Sequence, residues 1–124
     1  MADILIVEDN EDNRDLVYAF LEDQYTLKSC LDGYETVALF ENEPEYVPDL
    51  ILCDISLPGM DGVELMRVIR KHGAWTKIPL IALTSHAMKG DREKFLAEGF
   101  DDYISKPIME EEMLSDPINR LLAQ

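Results

Sequence analysis

The stretch ILIVEDN, residues 4–10, places an acidic pair directly after a continuous apolar run. A run of this kind, rich in branched residues, is typical of a strand that is buried on both faces of a parallel sheet. A second such stretch, LILCD at residues 50–54, ends in Asp54. Acidic residues therefore follow two strands that we predict to be buried, and they mark the place where a functional site is expected.

Strand and helix patterns alternate from these two stretches to both ends of the chain. Leu16, Val17, Phe20 and Leu21 recur at helical spacing after the first strand, and similar apolar faces follow the others. The predicted strands are Ile4–Val7, Thr26–Cys30, Leu50–Cys53, Ile78–Leu83 and Tyr103–Ile104. Five successive β-α units favour an α/β fold with a parallel sheet, helices on both faces and right-handed crossovers.

Composition limits the classes of function. The 124 residues, of which 47% are hydrophobic, have the size and apolar content of one folded domain. A formal net charge of −15 disfavours direct binding to nucleic acid or to anionic lipid. Because no apolar run approaches the roughly 20 residues of a membrane span and no basic secretory segment leads the chain, we expect no membrane insertion and a cytoplasmic location. Cys30 and Cys53 fit no zinc spacing and are expected to be small buried side chains.

The residues that follow the strands carry the chemistry, because ligands of doubly wound sheets bind beyond the carboxyl ends of the strands. These residues are Glu8, Asp9, Asp54, Thr84 and Lys106. If the first and third strands are neighbours, three carboxylates share one pocket and need a cation there. Oxygen ligands suit Mg²⁺, which together with Lys106 would balance the three negative charges. Asp54 could then act as a nucleophile toward phosphorus, with the Thr84 hydroxyl bonded to a phosphoryl oxygen.

Four motifs resemble those of response-regulator receiver domains of two-component signalling, the CheY-like superfamily. They are the acidic pair in LIVEDN, Asp54 in CDISLPGMDG, Thr84 in ALTSHAMKGD and Lys106-Pro107 in YISKP. The resemblance covers residues 1–124 as a single receiver domain without an output domain. It is nearest in style to single-domain DivK-like regulators and to the receivers of hybrid kinases. It implies the flavodoxin-like strand order 2-1-3-4-5 and a signalling switch rather than an ordinary enzyme.

The resemblance also implies how the phosphoryl group would arrive. Asp54 would accept it from the phosphohistidine of a histidine kinase or of a histidine phosphotransfer protein, in a reaction that needs Mg²⁺. Manganese can substitute for magnesium in such sites. The implied metal site consists of Asp9, which would bind the ion directly, Glu8, which would act mainly through a water, Asp54 and the backbone carbonyl of Ser56. A phosphorylated chain would regulate a partner protein that the sequence does not identify, as a monomer or a weak dimer.

Two further features follow from the resemblance. Thr84 and Tyr103 match the switch pair of the family, in which the hydroxyl moves toward the phosphate and the aromatic ring swings inward. Lys106-Pro107 matches a peptide bond that family members hold cis.

From the residues themselves, Pro117 lies within the apolar spacing of the last helix, and we expect a kink there. The alternative is a restart with Ser115 or Asp116 as the N-cap and Pro117 in the first turn.

Particular residues argue against three other functions. An EF-hand is excluded because Arg14 stands where glycine is needed and Phe20 where glutamate is needed. A flavodoxin is disfavoured because the EDNEDN loop would repel a flavin phosphate. A phosphatase with an aspartyl nucleophile would place a second acid two residues after Asp54, where this chain has Ser56. The phosphatase and a receiver-like interaction module that takes no phosphate stay open as alternatives.

Overall fold

A computed structural model describes residues 1–85 and 88–124 of the chain. The strands are β1 (Asp3–Val7), β2 (Thr26–Cys30), β3 (Leu50–Asp54), β4 (Leu80–Thr84) and β5 (Asp102–Ser105). The helices are α1 (Glu11–Leu21), α2 (Gly33–Asn42), α3 (Gly62–Ile69), α4 (Asp91–Glu98) and α5 (Glu112–Leu122), with a short 3₁₀ turn at Gly73–Trp75. The alternation predicted from the sequence is confirmed.

The five strands form one parallel sheet in the order β2-β1-β3-β4-β5, as predicted. Every residue of β3 and β4 is buried, which explains their continuous apolar sequences. β2 and β5 lie at the two edges and are only partly buried. The sheet order makes β1 and β3 direct neighbours, with Val7 opposite Cys53. Glu8 and Asp54 therefore follow this pair at the same edge of the sheet.

Two apolar cores cover the two faces of the sheet, because alternate residues of each strand point to opposite sides. One core packs Leu5, Ile51 and Leu80 against α2, α3 and α4. The other packs Ile4, Leu52 and their neighbours against α1 and α5. The layers are thus three helices on one face and two on the other, the doubly wound arrangement predicted.

Side chains at the helix N-termini fix where the helices begin. Asn10, Asp32 and Asp61 each accept a hydrogen bond from the backbone N–H three residues later and so cap α1, α2 and α3. α4 ends at Glu98, and the Gly99 that follows it has a φ of 133°, which favours glycine. None of the helices in the described residues is long and apolar enough to cross a membrane.

The last helix corrects one prediction. α5 runs from Glu112 to Leu122 with Pro117 inside it, and its N-cap is Glu111. The predicted restart at Ser115 or Asp116 is therefore wrong. The physical reason is packing: Leu114 and Ile118, on either side of the proline, are both fully buried against the sheet. Their burial holds the helix continuous although Pro117 cannot donate a backbone hydrogen bond.

Candidate functional site

Three carboxylates converge beyond the carboxyl ends of β1 and β3. One oxygen atom from each of Glu8, Asp9 and Asp54 lies within 4.8 Å of the others. Glu8 is fully buried and Asp54 is 5% exposed, whereas Asp9 faces the solvent. Glu8 still bonds to the end of β2 through its backbone N–H, whereas Asp9 lies at a bend beyond the sheet, so the two members of the acidic pair differ in burial. The sequence did not separate them in this way.

Lys106 joins two of these carboxylates from the end of β5. Its Nζ lies 2.9 Å from Oδ2 of Asp54 and 2.5 Å from Oε1 of Glu8, and the lysine side chain is 11% exposed. The backbone of the same residue donates to the carbonyl of Thr84, at 2.7 Å. That hydrogen bond continues the β4–β5 pairing past its last register pair and brings Lys106 over the site. The Lys106-Pro107 peptide bond is cis, as the resemblance implied.

The protonation states follow from burial and from these contacts. Burial, together with a hydrogen bond to Asp54, raises the pKa of Glu8 to about 7 against the pull of Lys106. Burial would also raise the pKa of Asp54, but hydrogen bonds from Glu8, Lys106 and the Ser56 N–H outweigh it and lower the pKa. Burial opposes the charge of Lys106, yet its two carboxylate partners raise its pKa. In the absence of a metal, Asp54 is thus the ionised member of the pair and Glu8 shares a proton with it near neutral pH.

Asp54 is oriented by the loop that follows it. The Ser56 N–H donates to Oδ1 of Asp54 at 2.9 Å, so each carboxylate oxygen of Asp54 has its own donor. The loop is closed at its base by the Gly62 N–H, which donates to the carbonyl of Ile55 at 2.9 Å. A Cβ atom on Gly62 would lie 2.5 Å from the Asp54 carbonyl oxygen, closer than real contacts allow. Glycine at position 62 lets α3 begin directly against the back of Asp54.

Thr84 and Tyr103 lie on neighbouring strands. Thr84, 4% exposed, is opposite Ser105, and Tyr103 is opposite Ala82. Since Thr84 follows Ala82 by two residues, both switch-pair side chains belong to the face that α4 covers. The Tyr103 ring is half-buried and stacks on Phe95 of α4, with 5.8 Å between ring centroids. The structure therefore places both residues on the side of the sheet that α4 covers.

The carboxylate pocket fits a hard divalent cation. Its donor set consists of oxygens, and three of them already lie within the span of one ion. Three carboxylates meet one ammonium there, an imbalance that a bound Mg²⁺ would relieve. The Ser56 carbonyl comes from the adjacent loop.

Sequence reasoning missed the contacts of three cationic side chains. Arg14 of α1 donates to the backbone carbonyls of both Glu8 and Asp9. Arg92 of α4 and Arg120 of α5 both pair with Asp102 of β5, whose side chain is 3% exposed. The sequence held one signal for Arg14, because a cation in the first turn of a helix opposes the helix dipole. It held none for the Asp102 pairs, which join residues from three separate elements.

A model of the response regulator receiver domain family matches residues 4–116. Over 111 residues the chain is 39% identical to the signal transduction histidine-protein kinase BarA of Escherichia coli K12; the match covers 89% of this chain and 12% of BarA. A 14.6 kDa protein encoded 3′ of sodA1 in Leptolyngbya boryana is 38% identical over 107 residues, which are 86% of this chain and 79% of that protein. The chain thus spans a small part of one relative and most of the other.

Solved structures agree with the sequence matches. The receiver domain of sensor histidine kinase PA1611 from Pseudomonas aeruginosa, solved with a magnesium ion coordinated in its active site cleft, superposes with a TM-score of 0.86 at 35% identity. The aligned region covers 99% of this chain and 98% of that domain. The chemotaxis protein CheY4 of Vibrio cholerae gives a TM-score of 0.85 at 26% identity, with 98% of each chain covered.

Proposed function

Because this chain belongs to the response regulator receiver domain family, we propose that Asp54 is its phosphoacceptor in a two-component or phosphorelay pathway. The observation that carries the proposal is the placement of Asp54. Its carboxylate is buried, ionised and held between the Lys106 ammonium and the Ser56 N–H, next to two further acids. A receiver domain is a signalling switch rather than an ordinary enzyme, so the chemistry changes this chain itself.

The proposed step is a transfer from a phosphohistidine to Asp54. A carboxylate oxygen of Asp54 forms a bond to phosphorus as the bond from phosphorus to the imidazole nitrogen breaks. The bonding electrons stay with the imidazole, which takes a proton from water, and the product is an aspartyl phosphate. Lys106, already 2.9 Å from Asp54, would stay beside the phosphoryl oxygens and balance their charge. Thr84 would donate its hydroxyl to one of them.

Glu8, Asp9, Asp54 and the Ser56 carbonyl would hold the Mg²⁺ of this site, where Mn²⁺ could substitute. When bound, the ion supplies positive charge to the transferred phosphoryl group. The fit rests on the three oxygens within 4.8 Å of one another and on the magnesium ion in the related PA1611 receiver. The direct binding implied for Asp9 is supported by its exposure, since its carboxylate is open to an ion that arrives from solvent.

The donor would be a histidine kinase or a histidine phosphotransfer protein. The support is the similarity to the BarA kinase, of which the matched region is a small part. Phosphorylation would shift an existing equilibrium of the fold by stabilising one arrangement of Thr84 and Tyr103 more than the other. A downstream partner would then recognise the changed surface near α4 and β5.

The deciding experiment is the intact mass of the chain after incubation with acetyl phosphate and Mg²⁺. We expect the added mass of one phosphoryl group on the native chain and none on Asp54→Asn. Asp23→Asn makes the same chemical change at an exposed aspartate. It serves as the matched control and should take up phosphate normally. Lack of added mass on the native chain would favour the phosphate-independent interaction module. Continuous hydrolysis of simple phosphate esters would favour the phosphatase.

A further inference from the structure

One cation near the carboxylate pocket has no part in the proposed transfer. Arg14 lies in the first turn of α1 and is half-buried. Its Nη1 donates to the backbone carbonyl of Glu8 at 3.0 Å and to that of Asp9 at 3.2 Å. A single nitrogen thus holds the two carbonyls of the acidic pair at once.

The position of Arg14 along the helix is unfavourable for its charge. The first turn of a helix favours acidic side chains, and α1 has Glu11 and Asp12 there. A cation in that turn opposes the helix dipole, so its presence needs a compensating contact. The two carbonyls provide it, because the side chain runs back from the helix to the loop that precedes it.

The side chain of Glu8 also stabilises this loop. Oε2 of Glu8 accepts the N–H of Asn10 at 3.3 Å, and the side chain of Asn10 caps α1. The turn from Glu8 to Asn10 is therefore fixed on one side by a guanidinium and on the other by the Glu8 carboxylate. Loss of either set of hydrogen bonds would leave the peptide groups between Glu8 and Asn10 free to rotate.

We infer that Arg14 is a positioning residue for the metal pocket: it fixes the backbone of Glu8 and Asp9 so that both carboxylates face Asp54. This inference rests on the proposed Mg²⁺ site. Within the described part of the chain, Arg14 bonds to the backbone carbonyls of the two acids rather than to their carboxylates, so it acts through the position of their backbone. Its positive charge by itself would repel Mg²⁺, so a fall in Mg²⁺ affinity on its removal would report lost orientation rather than lost charge.

The test compares Arg14→Gln with Arg67→Gln. Both substitutions remove one positive charge, but Arg67 is an exposed residue of α3 that pairs only with Glu98 among the contacts of the described residues. Mg²⁺ affinity, measured by calorimetry with the metal alone, should fall about tenfold in Arg14→Gln, as is typical when a group that orients metal ligands is removed. Arg67→Gln should stay within about twofold of the native chain, which isolates orientation from net charge. Arg14→Lys keeps the charge on a shorter chain and should be intermediate.

A second readout needs no metal. The carbonyl ¹³C resonances of Glu8 and Asp9 in the metal-free protein should shift in Arg14→Gln and not in Arg67→Gln. Equal Mg²⁺ affinities in the two variants, with unchanged carbonyl resonances, would overturn the inference. If Arg14→Gln is unfolded at the assay temperature, Arg14→Lys against Arg67→Lys decides by the same measurements. A native chain that binds Mg²⁺ but takes up no phosphoryl group would contradict the proposed function and leave this inference standing.

Discussion

Lys106 Nζ lies 2.9 Å from Oδ2 of Asp54, across an interval of 52 residues in the sequence. The contact crosses the sheet from the end of β5 to the end of β3, with β4 between them. The same ammonium also pairs with Glu8, which follows β1, so one lysine side chain contacts acidic residues at the ends of two other strands. A charge placed in this way affects both stability and phosphoryl uptake, and the two effects can be measured separately.

Replacement of Lys106 by methionine should expose this dual role. With the ammonium gone, two buried carboxylates face each other, and the free energy of unfolding should fall by about 3 kcal/mol at pH 8. The loss should be smaller at pH 5, where Glu8 takes up a proton. Phosphoryl uptake from acetyl phosphate should slow about a hundredfold, the usual effect of removing one donor to a developing negative charge. Urea unfolding and intact mass measure the two effects; Lys71→Met, at an exposed position, should change neither.

The proton on Glu8 should make stability depend on pH in the absence of metal. Burial raises its pKa from 4.5 to about 7 in the folded chain, so between these values the folded state holds a proton that the unfolded state has released. The free energy of unfolding therefore falls as the pH rises from about 4.5 to about 7. Above that range Glu8 contributes no further pH dependence. Glu8→Gln should remove that slope, worth at most about 3 kcal/mol.

Urea titrations at pH 5 and pH 8 without Mg²⁺ measure this difference. Glu41→Gln, an exposed change on α2, should keep the native slope. Parallel pH profiles for Glu8→Gln and the native chain would mean that Glu8 is ionised at both pH values, contrary to this assignment.

Gly62 should tolerate no side chain. A Cβ atom there would meet main-chain atoms, 2.5 Å from the Asp54 oxygen and 2.8 Å from Cα of Ile55, so α3 or Asp54 must move. We expect Gly62→Ala to cost about 2 kcal/mol of stability and to slow phosphoryl uptake by displacing Asp54. Gly33→Ala is the control, because the atom nearest to a Cβ there is Sδ of Met60, at 2.8 Å, which lies near the far end of a flexible side chain rather than in the main chain. Equal unfolding energies for the two variants would contradict the steric argument.

The element order and the five strand-end residues could be predicted because each depends on local pattern or on the end of a strand, whereas the sheet order was implied only by the family resemblance. Burial could not be assigned within the Glu8-Asp9 pair, since it depends on which face of the loop meets Lys106. Asp102 could not be foreseen as a shared partner of Arg92 and Arg120, because that pairing needs β5 to lie between α4 and α5. Arg14 entered the sequence argument only as an obstacle to calcium binding. Its contacts to two carbonyls depend on the path of the loop before α1.

Thr84 and Tyr103 should be coupled through the phosphorylated state. In the present structure the Tyr103 ring stacks on Phe95, and the proposed switch moves it toward Thr84. Thr84→Ala should leave phosphoryl uptake largely intact but weaken the movement of the ring, because the hydroxyl that would follow the phosphate is gone. Ring resonances of Tyr103 with and without acetyl phosphate report this movement. Thr84→Ser keeps the hydroxyl and should restore the movement of the Tyr103 ring. Ring resonances that do not change on phosphorylation in either the native chain or Thr84→Ala would contradict the coupling.

Pro117 tests whether packing or backbone bonding keeps α5 continuous. The proline leaves the carbonyl of Met113 without its usual helical donor, and an interior proline costs roughly 3 kcal/mol. Because Leu114 and Ile118 keep the helix in place on either side, Pro117→Ala should add a hydrogen bond without moving the helix, and raise the free energy of unfolding by about 1–3 kcal/mol. Asp116→Ala, an exposed neighbour, should gain only a few tenths of a kcal/mol from helix propensity. If Pro117→Ala were no more stable than Asp116→Ala, the proline ring would have to contribute packing against β5 that offsets the missing bond.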